Sequence, residues 1–444
     1  MLRMFISCNA LVLGAFIVIS CSHGDSPKSP SDDDRGGGAA DWVRAPSGTE
    51  EGVIDDESNK RTFALFVGTN FRNAELSVFS FDSGSIVGRR PLEDQDSVAW
   101  ADRGFGWVLE RGIGKALALD RKEPWTVSKT IDLNDTPDAA RLASNPHAIV
   151  VTTGTKAYVA RYGVNSIKIF NASSGALGGT IDLSEFQDPR DPDGRSEVQD
   201  AVYDPATKRA YFLLERIHVT PPFPPPDYLF PCLAWPPQVV AVDATNDHVI
   251  DLNGPAPGRA IDLLGDNPDS ITLDAETGRL IVADIGCYVP QDGGANVRRG
   301  RGVEAIALGT GTPSWLLHAT GIQRFNGLVW VDPSRAFLSY GNDWFAWNPT
   351  QPVLGPVLPN FPRAPFYDGE NHIIGLSVVT NDASAPNTSF SAVSWNLANA
   401  HVTTLATHVF QSVVPHPLYG ISSAYLHKSR SGVSRIPTFR NVTY

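Results

Sequence analysis

Apolar residues along this chain fall into short runs of strand length, and the same run returns at intervals. It reads Thr62-Phe-Ala-Leu-Phe-Val-Gly-Thr69, Phe105-Gly-Trp-Val-Leu-Glu-Arg-Gly112, Lys156-Ala-Tyr-Val-Ala-Arg-Tyr-Gly163 and Arg209-Ala-Tyr-Phe-Leu-Leu214. It returns as Arg279-Leu-Ile-Val-Ala-Asp284, Arg335-Ala-Phe-Leu-Ser-Tyr-Gly341, His372-Ile-Ile-Gly-Leu-Ser-Val-Val379 and Ser423-Ala-Tyr-Leu-His427. Most copies are followed by a second run that alternates apolar and polar positions, such as Ser166-Ile-Lys-Ile-Phe-Asn171 or Gln238-Val-Val-Ala-Val-Asp243. Alternation at a period of two with an Asn, Asp or Gly turn predicts half-buried antiparallel hairpins. Repetition at this spacing predicts an all-β repeat architecture.

The fullest unit runs from Asn145 to Leu183. It opens Asn-Pro-His-Ala-Ile-Val-Val, continues through the Lys156 and Ser166 strands, and closes on Gly-Gly-Thr-Ile-Asp-Leu. This unit, together with Pro268 to Asp284, resembles the YVTN-repeat and lactonase-like β-propellers. The resemblance implies a single β-propeller of four-stranded antiparallel blades, with strands A to D running outward from the axis. Eight hairpins lead to an expectation of eight blades over residues 49–444, with seven, usual in the resembling family, as the alternative. A strand near Trp42–Arg44 is expected to close the ring, because an open propeller would leave a sheet edge exposed.

Each repeat opens on a polar residue, a small residue and a third that is usually aliphatic. The triplets start at Glu51, Asp96, His147, Asp200, Asp269, Asn326, Arg363 and Gln411. If the small residue packs where blades converge, the polar one faces the channel mouth. Several carboxylates beside a histidine could hold Ca²⁺ or another divalent cation, or polarise a small ligand. They could equally be solvated polar groups at a wet channel mouth. Asp200, Asp269 and His147 come first among them, since they lie in consecutive repeats.

Two B–C loops on the same face are long. One runs from Glu215 to Pro237 through a proline-rich stretch, and the other from Gly286 to Gly302. Tyr228, Phe230, Trp235, Tyr288 and Arg298 are candidates for a lid over that sector, or for a private hydrophobic cluster within folded-down loops. The acidic run Asp188-Pro-Arg-Asp-Pro-Asp-Gly-Arg-Ser-Glu197 precedes the fourth inner strand and lacks the further spacing of an EF-hand loop.

The N-terminus differs from the rest. Arg3 precedes an apolar run, Leu11 to Ile19, too short to span a bilayer of roughly 30 Å. It ends in Val18-Ile19-Ser20-Cys21, which resembles the bacterial lipobox. That resemblance implies a signal peptide over 1–20, lipidation of Cys21 with palmitate-type acyl chains, and export to the cell envelope. Ser22 in place of an aspartate points toward the outer membrane. Residues 21–48 are polar and Gly/Ser/Asp-rich, as expected of a tether reaching on the order of 30 Å.

Charge and cysteine count narrow the rest. The formal net charge is −12, or −13 without Arg3, and the one basic cluster is Arg298-Arg299-Gly-Arg301. Nucleic acid is therefore not an expected partner. Of four cysteines, Cys8 lies in the leader and Cys21 at the lipidation site, which leaves Cys232 and Cys287. Two remaining thiols in an oxidising compartment are expected to pair, and the repeat register places them on adjacent loops of one face. No Gly-x-Ser-x-Gly elbow, His-Glu-x-x-His or completed phosphate-binding loop is present.

Three functions follow as expectations. The first is a monomeric envelope lipoprotein presenting the propeller as a platform for a protein, peptide or glycan. The second is a metal-assisted, lactonase-like hydrolase using the axial carboxylates. The third is a quinone-dependent dehydrogenase, suggested by eight blades and ten tryptophans.

Overall fold

The computed structural model describes residues 62–427, except 71, 136–143, 220–229, 255–257, 289–299, 320–324, 342, 379–388 and 412–420. Within these limits the chain is a seven-bladed β-propeller. Blade 2 has strands A to D at Ser97–Asp102, Phe105–Glu110, Lys115–Leu119 and Val127–Asp132. Blade 3 uses Pro146–Val151, Lys156–Arg161, Ser166–Asn171 and Leu177–Asp182. Blade 4 uses Val198–Asp204, Arg209–Leu214, Gln238–Asp243 and His248–Ile250, with Ile261–Asp262 also pairing on its C strand. Blade 5 uses Pro268–Asp274, Arg279–Asp284, Arg301–Ala307 and Thr312–Ala319. Blade 6 uses Phe325–Asp332, Arg335–Tyr340, Asp343–Trp347 and Leu354–Val357. Blade 7 uses Arg363–Tyr367, His372–Val378, Phe390–Asn396 and Val402–Ala406.

Blade 1 corrects the expectation of eight blades. Its three outer strands are Thr62–Thr69, Ala74–Ser80 and Ser85–Leu92, and its innermost strand is Ile421–His427. The Ser423 run therefore belongs to no eighth hairpin: it pairs antiparallel with the first, Phe63 opposite Leu426 and Val67 opposite Ser422. The C-terminal strand thus closes the ring from the inside of blade 1, a closure the sequence assigned to a strand near Trp42–Arg44, which lie outside the described residues. Successive inner strands touch one another from blade 1 round to blade 7 and back to blade 1. Further bonds seal the seam: Ser77 Oγ donates to the Val409 carbonyl (2.6 Å), and the Gln411 N–H donates to Glu75 (3.0 Å).

Burial follows from this geometry. A blade is covered on both faces by its neighbours, so its inner strands read as continuous apolar runs, and Pro146–Val151 and Ser97–Asp102 are buried throughout. The outermost strands alternate, as in Leu177–Asp182, where Ile181 points inward among exposed neighbours. Aromatic side chains fill the gaps between blades. Trp107 packs edge-on against Phe170 across blades 2 and 3, and Trp100 Nε1 donates to the Ile149 carbonyl. The Asp or Asn that ends many C strands is turn chemistry: Asn171 Oδ1 accepts the N–H groups of Ser173 and Ser174, and Asp243 Oδ1 that of Thr245.

Candidate functional site

The D–A loops, the B–C loops and the first residues of the inner strands all lie at one end of the propeller. In blades 3, 4 and 5 the chain enters the inner strand through a residue of positive φ: Asn145 (49°), Glu197 (43°) and Asn267 (54°). Their carbonyls accept the N–H groups of Tyr162, Glu215 and Ile285, just past each B strand. Two residues later comes the extra residue of a β-bulge. Pro146 pairs with Arg161 and Ala148 with Ala160, leaving His147 as the extra residue. Asp269 is extra in blade 5 and Asn326 in blade 6. In blade 4 the extra residue is Gln199, because Val198 pairs with Leu214 and Asp200 with Leu213. The repeated polar position, the extra residue of each bulge, is therefore His147, Gln199, Asp269 and Asn326.

This register corrects the expected ring of eight. Asp200 sits one residue later than His147 does. It is 3 % exposed, and its carboxylate accepts the Ala201 N–H (2.8 Å) and, across the blade boundary, the Ile271 N–H (3.0 Å). Asp200 is a strut between blades 4 and 5. Asp96 takes the place of Asn145, two residues before His147, ahead of an inner strand with no bulge, and forms a close ion pair with buried Arg111. Burial raises the Asp96 pKa, against the lowering effect of Arg111. Arg363 opens the inner strand of blade 7 and is half-buried, with its pKa lowered by desolvation. Gln411 is exposed beyond the outermost strand of blade 7 and belongs to the seam between blades. Glu51 and Cys21 lie outside the described residues.

His147 is 1 % exposed, stacks on Tyr162 with ring centroids 4.7 Å apart, and meets Gln199 Oε1 through Nδ1 at 2.6 Å. Gln199 was missed in the sequence because Asp200 completes a better-looking triplet. The signal that finds it is Asn145-Pro-His and Asn267-Pro-Asp, which align with Glu197-Val-Gln rather than with Asp200-Ala-Val.

The long B–C loops form a cap over blades 4 and 5. Ile217–Val219 pairs antiparallel with Phe230–Ala234, which in turn pairs parallel with Cys287–Tyr288. A disulfide joins Cys232 to Cys287, with 5.7 Å between Cα atoms. Ile217 and both cysteines are buried together, and Val219 packs on them. Trp235 is buried at the base of the cap, its N–H donating to the Arg216 carbonyl (3.2 Å). Phe230 and Tyr288 take part through their backbones, while Tyr228 and Arg298 lie outside the described residues.

Beside the cap lies the acidic D–A loop between blades 3 and 4. Asp188 is neutralised there: Arg190 binds it through two hydrogen bonds of 2.8 Å, Arg216 approaches at 3.4 Å, and its pKa falls to about 2. Asp191 and Asp193 instead face His218 of the cap, whose Nδ1 lies 3.7 Å from Asp193 Oδ2. Burial, reinforced by Asp193, pushes the Asp191 carboxyl up to about 6. Glu197 is 1 % exposed and shifts well upward for the same reasons, burial first and then Asp193 and Asp191. One of its oxygens accepts the Ile217 N–H (3.3 Å), and the other, Oε1, is buried without a hydrogen-bond donor among the described residues.

No protein-family model and no curated protein sequence matches the chain. Among solved structures it is similar to the dihydro-heme d1 dehydrogenase NirN, at 13% identity and a TM-score of 0.44 over 78% of this chain and 73% of that one. Hydrazine synthase of Kuenenia stuttgartiensis is similar at 12% identity and a TM-score of 0.46, over 76% and 90% of the two chains. The Swd1 beta-propeller domain of Myceliophteria thermophila aligns at 8% identity and a TM-score of 0.45, over 78% and 98%. The sheets themselves carry the assignment: this chain is a β-propeller protein of seven four-stranded blades.

Proposed function

We propose that this protein is an exported lipoprotein, held to the outer membrane through Cys21, that presents the cap end of its propeller to a protein, peptide or glycan. The observation that carries this reading is the cap. A disulfide and a three-stranded sheet stiffen two long loops over blades 4 and 5, on the end where the D–A loops also emerge. Loops on a rigid scaffold carry recognition more often than the scaffold does, and stiffening them in advance lowers the entropic cost of binding. The polar tether of residues 21–48 lets that end stand clear of the headgroups.

The test has two arms. Replacing Cys21 by alanine moves the protein from the membrane to the soluble fraction and abolishes acyl labelling; unchanged fractionation sinks the anchor. Glycan and peptide arrays probed with the full chain give binding that weakens when Cys232 and Cys287 are replaced by serine. Turnover of lactone or ester substrates that is lost in Asp269→Asn replaces the platform with a hydrolase. The dehydrogenase reading loses its support from blade number, since the blades number seven, and Trp100, Trp107, Trp330, Trp347 and Trp395 are packed in cores within and between blades.

A further inference from the structure

We infer that Asp191, Asp193 and His218 form a binding site for a divalent transition ion of the zinc type, which ties the acidic D–A loop to the disulfide-stapled cap. One ligand atom from each residue lies within 4.8 Å of the other two. Two ligands on a tetrahedral ion, each about 2.1 Å from it, stand about 3.4 Å apart. The 3.7 Å between His218 Nδ1 and Asp193 Oδ2 is already close to that value.

The buried oxygens supply a second, independent observation. Asp191 is 7 % exposed and its Oδ2 has no hydrogen-bond donor among the described residues, and neither has Glu197 Oε1, which is buried within electrostatic reach of both aspartates. A buried carboxylate oxygen without a donor is costly. The neighbouring arginines place their hydrogen bonds elsewhere: Arg190 on Asp188, and Arg216 on Asp188 and the Pro236 carbonyl. An ion at this position would compensate the charge of Asp191, Asp193 and Glu197 together.

The donor set selects the ion. Calcium prefers six to eight oxygens, whereas two carboxylates with an imidazole suit zinc or a neighbouring first-row ion and leave a position for water or a ligand group. The acidic run is therefore read together with His218, which sits 21 residues beyond Glu197 in the sequence, rather than as a calcium loop. His218 is held in place by its strand: it pairs with Leu233, next to the disulfide at Cys232. The inference does not rest on the platform reading, since an ion can bind whatever that end of the propeller recognises.

Titration of the purified, oxidised full chain with Zn²⁺ tests it. The expected result is saturable binding of one ion, weakened at least about tenfold in His218→Ala and in Asp193→Asn, and unchanged in Asp251→Asn, a surface acid elsewhere on blade 4. Circular dichroism identical to the parent chain qualifies each variant. A Co²⁺-loaded sample provides a second readout, with visible bands of a four- or five-coordinate site that are lost in His218→Ala and retained in excess Ca²⁺. Absence of saturable binding by the parent chain, equal affinity in His218→Ala, or displacement of Co²⁺ by equimolar Ca²⁺ each overturns it.

Discussion

The Nδ1 atom of His147 lies 2.6 Å from Oε1 of Gln199, and both residues are the extra member of a β-bulge, one in blade 3 and the next in blade 4. The polar position of the repeat therefore joins neighbouring blades here, as the Asp200 carboxylate does between blades 4 and 5. At buried sites such bonds contribute modestly when made and cost more when one partner is removed.

Replacing Gln199 by alanine removes the Oε1 that meets Nδ1 of buried His147. We expect a loss of about 1–3 kcal/mol in chemical denaturation, with unchanged far-ultraviolet circular dichroism. Asp200→Ala is expected to cost a similar amount, because it leaves the buried Ile271 N–H without this acceptor. An Asp200→Ala variant of normal stability would remove Asp200 from the role of strut.

Closure of the ring by Ile421–His427 makes the C-terminal segment essential to the fold. Truncation after residue 420 exposes the inner edge of blade 1 and is expected to abolish a single cooperative thermal transition. Removal of residues 22–48 is expected to leave the melting temperature unchanged within about 2 °C, on the order of a surface-level effect. Differential scanning calorimetry of the two truncations decides between this closure and an N-terminal one.

The Cys232–Cys287 bridge closes a loop spanning 55 residues. Its removal by double serine substitution is expected to cost roughly 2–4 kcal/mol, mainly by enlarging the unfolded ensemble. Hydrogen exchange should rise first at Ile217–Val219 and Cys287–Tyr288, while the A strands keep their protection.

Asp188 gives the molecule a pH-dependent contact. Hydrogen bonds from Arg190 hold its pKa at about 2, below the value near 3.8 of an unfolded aspartate. A lowered folded pKa means stability that is fully present above about pH 3.8 and is lost as pH falls toward 2. Asp188→Asn should therefore lower stability at pH 7 by on the order of 1 kcal/mol and make little difference at pH 2. An equal difference at both values, measured by urea denaturation, would assign the effect to packing.

Much of the fold was legible along the chain, because burial on both faces of a blade leaves apolar runs whatever the ring size. The hairpins from Lys156 to Asn171 and from Arg209 to Asp243 are where the periodicity puts them. The pairing of Cys232 with Cys287 was expected from the cysteine count under an expected oxidising compartment, and the strand that carries Cys232 aligns beside Cys287.

Blade number and the polar register were decided only in three dimensions. Ser423–His427 reads as one more hairpin strand, and its partnership with Thr62–Thr69 depends on seven blades completing the circle. Likewise a β-bulge sets two residues against one on the neighbouring strand, so no one-dimensional pattern of polar and small residues distinguishes Gln199 from Asp200. His218 met Asp191 and Asp193 for the same reason: the cap's pairing brings a distant strand back over the loop. Local alternation wrote the strands, and closure of the ring chose their neighbours.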